Sequence, residues 1–579
     1  MTQTTPTIPR PGTAPEDANP PRKNSRWRPR MPVLGAALAG TALIGSQGAR
    51  LGQWIVDDAA ITFAYARSID EGLGPVQQAG SPPVEGYSNP LWLLLLLVGR
   101  RLGLFDHRAY FGVPDLVLYP KLLGLLCALG ILLAVGWAAR SMVKHAWAVV
   151  ALTGVLLAAN ASFTAWMFSG LENPLYALAA TVLAAVLARA SVDGALLERR
   201  PAVLAGLLAL AAALTRPDGA VLAAVHPLLL LLHVTRPRLG ASVRAAALSC
   251  GAFLVPYGAF LCWRYAEFGR LVPNTAVAKA QETPTLELFA GTGDLLAFAG
   301  WTAVLAGAGV VGLALSRPGR LRSGLAPVLL PLALTLTSFG VLKPDWMGMY
   351  RFATPVWALA SFAVSVALAG VLQRGTVRAR ALTATAVCGA LLLAWGGQRE
   401  QAAEFRAHPT LPMCVVADRY GPVFNEYADR LALKHPTYLI NNLGGTLLTS
   451  DLKVYDLAGL TEPTIADAFA AHDMPGLRRY VFRTLRPTLV HAHGYWASYP
   501  GLTPKRMTAE GYLPLYEEKS AKGDGGDWVR ADAVRDPKRL AATQRWAKKE
   551  VTRQLRAQEA GRRGDCGDVL RPGRRLAAP

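Results

Sequence analysis

The sequence predicts a polytopic α-helical membrane protein with a smaller mixed α/β domain towards its C-terminus, and three observations predict it. Of 579 residues, 52% are hydrophobic and only 17% charged, with a mean hydropathy of +0.27, which is too apolar for a soluble chain of this size. Apolar stretches near the roughly 17–25 residues that cross a bilayer recur along the first two thirds of the chain. Basic residues gather in every second connection between them, as they do in cytoplasmic loops. The net charge of +21 therefore reads as topology signal and contact with anionic lipid, and no nucleic-acid partner is expected.

Residues 1–31 are rich in Pro, Thr and Arg and form an expected disordered, basic cytoplasmic tail. No small-residue cleavage site precedes Trp54, so the first helix is expected to be retained. About eleven spans follow, at 32–55, 117–139, 146–165, 173–190, 202–216, 219–234, 244–263, 296–315, 324–342, 352–372 and 380–396. Arg140 with Lys144, Arg199 with Arg200, Arg236 with Arg238, Arg317 with Arg320, and Arg374 with Arg378 mark the cytoplasmic connections. The N-terminus is then cytoplasmic and everything after the last span extracytoplasmic. Pro90 to Leu104 is too short to span and carries Arg100 and Arg101, so it is placed as an interfacial helix.

Residues 397–535 lose membrane character. Strands are expected at Thr437–Ile440 and Lys453–Tyr455, and helices near Glu462–His472 and Met474–Leu485. Residues 536–579 form a basic helical to disordered tail. The six cysteines are too scattered for a disulfide framework, with Cys414–Cys566 the one pairing to consider. His491 and His493 alone do not close a zinc site.

The distinctive polar motifs fall on the expected outer side. Asp57-Asp58 opens the first outer loop, which continues through Arg67, Gly72-Leu-Gly74 and Glu85-Gly-Tyr87-Ser-Asn89-Pro-Leu-Trp92. Ser169-Gly-Leu-Glu172, Arg216-Pro-Asp218-Gly219, Leu271-Val-Pro-Asn274 through Lys279, Asp345-Trp346 with Arg351-Phe352, and Tyr455-Asp456-Leu-Ala-Gly459 follow in order. In this order and on this side the motifs resemble those of bacterial GT-C membrane glycosyltransferases, in particular the group of the mycobacterial terminal arabinofuranosyltransferase. The resemblance covers about residues 50–470. It implies a GT-C fold, a polyprenyl-phosphate sugar donor, a cell-envelope glycan acceptor on the outer face of a bacterial cell membrane, and inversion at the anomeric carbon. The Glu-Gly-Tyr-Ser-Asn-Pro form of the loop departs from that group, so arabinofuranose is one candidate sugar among others.

Direct displacement requires a base at the acceptor hydroxyl and cations at the departing phosphate. Asp57 and Asp58 supply the carboxylates, with Asp57 favoured by resemblance as the base. Arg216, Lys279 and Arg351 are the phosphate candidates, since Arg offers a planar fork and Lys a point charge; Arg264 and Arg270 are weaker ones. Snorkelling to headgroups explains each cation singly about as well. Arg67, Glu85, Tyr87, Asn89, Glu172, Asp218, Asn274, Asp345 and Trp346 are the expected substrate contacts, Trp346 doubling as an interfacial anchor. The sequence specifies no cofactor, and a divalent cation on Asp57 and Asp58 stays open. The competing class is a transporter or flippase of lipid-linked sugars, which would place its polar site near the midplane of repeated halves.

Overall fold

The computed structural model describes residues 31–279, 289–519, 523–559 and 570. Helix α1 (Met31–Ala49) leads to the two helices of the first long loop, α2 (Asp57–Asp70) and α3 (Pro90–Arg101). A small hairpin, β1 (Ala109–Tyr110) with β2 (Val113–Pro114), precedes α4 (Asp115–Met142). The helical part continues with α5 (Ala146–Ala159), α6 (Ala161–Met167), α7 (Asn173–Val192), α8 (Arg199–Thr215), α9 (Val225–Leu232), α10 (Leu239–Phe268) and the short α11 (Asn274–Ala278). It closes with α12 (Ala290–Ala299), α13 (Trp301–Leu315), α14 (Arg320–Val341), α15 (Thr354–Arg374) and α16 (Val377–Ala407).

Among the described residues six helices are long and apolar enough to cross a bilayer, or eight if each of two bent pairs counts as one span. Every expected span coincides with helix, but several are not single straight rods. The first stops at Ala49, short of residue 55, because Gly52 turns the chain at φ 56° and Trp54 donates its indole N–H to Thr410 O at 2.7 Å. The span expected at 146–165 breaks at Asn160, whose side chain caps α6 through Phe163 N, and the two halves bend by 86°. Gly300, at φ 88°, makes a similar 91° bend between α12 and α13. The segment expected at 219–234 is a 3-10 turn over Pro217–Ala224 followed by α9, shorter than a full crossing. The last span runs on to Ala407 instead of ending at 396.

Small residues set the closest helix contacts. A Cβ at Gly154 on α5 would lie 2.9 Å from the Cα of Gly40 on α1, so the two backbones touch as small-residue membrane interfaces do.

The C-terminal part holds a five-stranded sheet of β3 (Thr437–Ile440), β4 (Lys453–Asp456), β5 (Leu489–Ala492), β6 (Tyr512–Glu518) and β7 (Gly525–Arg530), in the order β4-β3-β5-β7-β6. Strands β4, β3 and β5 run parallel, while β7 and β6 pair antiparallel to close the other edge. The two expected strands are the parallel pair β3 and β4. Around the sheet lie α17 (Met413–Arg419), α18 (Gly421–Arg430), α19 (Gly444–Thr449), α20 (Pro463–Ala470), α21 (Met474–Arg479), α22 (Tyr495–Ser498) and α23 (Pro504–Ala509). Helix α24 (Pro537–Glu559), within the expected basic tail, buries Ala547 and Val551 and packs on β6. Cys414 is buried in α17, and its proposed partner Cys566 lies outside the described residues.

The two parts are joined at residues 55–57. Met413 N donates to Ile55 O at 2.8 Å, Val56 N to Ser169 O at 3.0 Å, and Asp57 N to Leu411 O at 3.0 Å. The Asp57 carboxylate then accepts Gly445 N–H at 2.6 Å and Gly444 N–H at 3.1 Å, two of the unpaired donors at the start of α19. The approach needs glycine, because a Cβ at 444 would meet the Asp57 carbonyl oxygen. Burial pushes the Asp57 carboxyl up to about 8, against the pull of the two glycine N–H groups and with the help of Asp58.

Two predictions come from this architecture. Reporter fusions after Arg200 and after Glu559 should report opposite sides of the membrane; the same side for both would overturn the topology. Asp57→Ala strands two buried N–H donors, at a cost of about 1–3 kcal/mol each way such groups are lost, so the thermal midpoint of the purified protein should fall. Asp57→Asn retains one acceptor oxygen and should lose less.

Candidate active site

Buried ion pairs fix the first outer loop. Arg67 on α2 grips Asp106 through two bonds of 2.7 and 2.9 Å, and Arg100 on α3 joins both Asp106 and Asp70. Such planar, two-pronged pairing sets the angle between α2 and α3. Tyr65 donates to Val84 O at 2.5 Å and accepts Gly86 N–H, while Trp92 donates to Gly170 O at 3.0 Å. Glu85 pairs with Arg264 of α10 at 2.7 Å, and Asn274 N donates to Glu85 O. The loop is therefore bound to α10 and α11, and through Asn274 Nδ2 to Gly459 O and Leu460 O of the C-terminal domain.

These supports shape a cavity of about 430 Å³. Five loops expected on the outer side meet in it: Asp58 and Thr62 with Tyr87 to Asn89; Glu172; Arg216 to Asp218; Thr275, Ala276 and Lys279; and Leu342 to Trp346 with Arg351 and Phe352. Leu460 of the C-terminal domain closes one wall. The carboxylates Asp58, Glu172, Asp218 and Asp345 face the cations Arg216, Lys279, Lys343 and Arg351. Formal charge in the lining is thus balanced, and what matters is how the groups are paired.

Three of the four carboxylates are engaged. Glu172 accepts from Arg216 at 3.0 Å and from Asn89 Nδ2 at 2.8 Å; Asp218 takes Arg216 Nε at 2.9 Å; Asp345 pairs with Arg351 at 2.7 Å. The Arg216 and Arg351 guanidinium carbons also lie 4.2 and 4.8 Å from the Phe352 ring centroid. Asn173 Nδ2 holds the Arg351 carbonyl at 2.9 Å. Asp58 has no hydrogen-bond or ion-pair partner among the described residues, and neither has the Lys279 ammonium. Burial raises the Asp58 carboxyl above its ordinary value, and Lys279 and Arg351 pull the other way. Lys279 stands exposed at the cavity, and the protein around it, with Arg351, holds its ammonium below the usual lysine value. Burial also pushes Glu172 up, but Arg216 and Arg351 outweigh it and leave the carboxyl below its ordinary value.

The structure brings together Asp58, Tyr87, Asn89, Glu172, Arg216, Asp218, Lys279, Asp345, Trp346 and Arg351. Trp346 is 61% exposed at the rim. Four expected residues are corrected. Asp57 turns away from the cavity, because α2 advances about 100° per residue and its carboxylate is claimed by α19. Arg67 is consumed by Asp106, Glu85 by Arg264, and Asn274 by the 459–460 carbonyls, so these three shape the walls without lining them. Of the weaker cations, Arg264 is buried on Glu85 and Arg270 pairs with Asp467. Phe352, Asn173 and the Gly444-Gly445 pair were not singled out as site residues; Phe352 and Asn173 adjoin residues that were, whereas the glycines lie 387 and 388 positions from their partner.

No group of three His, Cys, Asp or Glu side chains converges as a metal site among the described residues. Asp57 and Asp58 do not present two carboxylates to one cation, since both oxygens of Asp57 accept N–H groups. His491 instead joins a buried network in the sheet, bonded to Asp527 at 2.7 Å and to His493 at 2.8 Å, with Arg419 and Tyr427 also on Asp527.

No family model matches the sequence, and no curated protein matches it. Solved structures do. ArnT from Cupriavidus metallidurans, bound to undecaprenyl phosphate, is similar over 87% of this chain and 99% of its own, at 15% identity and a TM-score of 0.52. The archaeal oligosaccharyltransferase AglB from Archaeoglobus fulgidus aligns over 86% of this chain and 74% of its own, at 12% identity and a TM-score of 0.44. The arabinofuranosyltransferase AftD from mycobacteria aligns over 86% and 40%, at 16% identity and a TM-score of 0.46. The match to ArnT, which spans nearly all of that protein, gives this chain its fold: the GT-C arrangement that the order of the loop motifs led one to expect.

Proposed function

We propose that this chain is an integral membrane glycosyltransferase that moves a sugar from a polyprenyl-phosphate donor to a cell-envelope glycan, with inversion at the anomeric carbon and Asp58 as the base. One observation carries the reading: among the described residues, a cavity on a GT-C fold holds one carboxylate with no hydrogen-bond or ion-pair partner, Asp58, together with the Lys279 ammonium and two braced guanidinium groups. The acceptor hydroxyl attacks the anomeric carbon as its proton passes to Asp58, and the bond from that carbon to the phosphate oxygen breaks. The released polyprenyl phosphate carries the growing negative charge towards Lys279, Arg351 and Arg216. Glu172, Asp218 and Asp345 orient the two arginines, and Asn89 and Tyr87 stand where sugar hydroxyls would be met. The undecaprenyl phosphate held by ArnT supports a polyprenyl carrier. Arabinofuranose is the sugar to try first, and the outer face of a bacterial cell membrane the compartment. A flippase reading lacks a comparable observation, because the charged cluster sits among the loops at one end of the helices.

Transfer of radiolabelled sugar from a defined polyprenyl-phosphate donor by purified protein tests this. Asp58→Asn should lower turnover by about 10²–10⁴-fold, the usual range for a general base, with an unchanged thermal midpoint; near-normal turnover would sink the assignment. Lys279→Gln should weaken donor use more than acceptor use.

The pH profile should be bell-shaped. Activity rises as Asp58 loses its proton, later than for an ordinary carboxylate because its folded value is raised, and falls as Lys279 loses its charge, earlier than for an ordinary lysine. Lys279→Arg should extend the alkaline limb, and a limb that stays in place would remove Lys279 from the profile.

A further inference from the structure

A second cavity, of about 580 Å³, opens between the end of α1, the bend from α5 to α6, and α16. It lies on the same side of the helices as the C-terminal domain, since α1 and α16 both lead from it towards the 55–57 and 411–413 crossing. Three arginines, Arg50, Arg399 and Arg406, and one carboxylate, Glu400, line it, which leaves two positive charges in excess. On α16 the residues Trp395, Arg399 and Arg406 follow spacings of four and seven and so share one helix face. One turn nearer the helix start, Leu392 continues that face and is exposed, with Leu393 beside it.

We propose that this cavity binds the phosphate headgroup of an anionic membrane lipid. Arg50 and Arg399 contact the phosphate, and the acyl or prenyl chain runs down α16 over Trp395 and Leu392. The excess charge matches a phosphate ester. The volume falls among the roughly 300–1,000 Å³ of sites that enclose whole small molecules, so free inorganic phosphate would leave most of it unfilled. The apolar stripe below the arginines supplies the chain contact that a soluble anion would not use. Gln398 braces the floor by joining Ala161 N at 2.9 Å and Phe298 O at 2.6 Å, which keeps the α5–α6 bend open. Phe405 of the lining packs against Trp54 and Trp166, and the Arg351 guanidinium of the first cavity lies 6.0 Å from the Trp166 ring. The inference does not depend on the proposed transfer reaction.

Native mass spectrometry of the full-length protein, counting lipids retained per chain, tests it. The probes are phosphatidylglycerol, a polyprenyl monophosphate, phosphatidylcholine and inorganic phosphate, each offered to the wild type and to Arg50→Gln/Arg399→Gln. Wild type should retain one more phosphatidylglycerol than the double variant, at least a tenfold difference in occupancy at equal lipid. Arg399→Lys should retain most of it, which separates charge from folding. If the polyprenyl phosphate is preferred at this site over phosphatidylglycerol, the ligand is the carrier lipid; the reverse makes it a bulk phospholipid. Equal retention in wild type and double variant, equal retention of zwitterionic phosphatidylcholine, or protection by inorganic phosphate as strong as by lipid would each overturn the proposal.

Discussion

The clamp between Asp57 and the first turn of α19 is the constraint on which the rest depends. It ties a residue in the loop after α1 to the C-terminal domain, 387 and 388 positions away, through two buried N–H donors. Because the same carboxylate is the first residue of α2, the clamp fixes both where α2 begins and how it is rotated. Rotation decides which side chains of α2 look into the cavity, and Asp58 is one of them. The C-terminal domain thus acts on the cavity from behind, by holding the helix that carries Asp58, as well as by lending Leu460 to its wall.

The charged groups of the outer loops divide by a simple criterion. A charge removed from water is tolerated when paired and costly when alone. Arg67, Glu85 and Arg264, at 7%, 2% and 4% exposure, are ion-paired and serve to set loop positions. Arg216 and Arg351 are braced by carboxylates yet keep an edge on the cavity. Among the described residues Asp58 and Lys279 have no hydrogen-bond or ion-pair partner, and a ligand with one acidic proton and one anionic group would complete both. Structural pairs that look like site residues in the sequence are distinguished from working ones by this bookkeeping alone.

Much of the helical part was legible because hydropathy and the distribution of Arg and Lys are local signals, and so was the parallel pair of strands beside Gly444 and Gly459. Strands β5, β6 and β7 were not. Leu489–Ala492 is four buried residues with a histidine among them, and β7 begins with two glycines, so neither carries the alternating pattern of a half-exposed strand. In the site, motif order located ten of the expected residues on one cavity, but the sequence does not state which of two neighbours faces it. Asp57, expected as the base, is turned from the cavity by a partner distant in the chain, and Asp58 faces it instead. Glu85, Arg67 and Asn274 were misassigned likewise, their partners lying 179, 39 and 185 positions off.

Two adjacent aspartates at the start of a helix then acquire separate reasons. Successive helical residues diverge by about 100°, so one side chain can bind the domain behind the helix while the next faces the substrate cavity. A single aspartate cannot do both, and separating the two by another residue would bring the second round to a different face. The adjacency also couples them electrostatically: each negative charge raises the proton affinity of the other, and the Asp57 carboxyl is raised partly by Asp58. The paired glycine N–H groups fix Asp57 behind the helix, which leaves the next side chain, Asp58, to face the cavity.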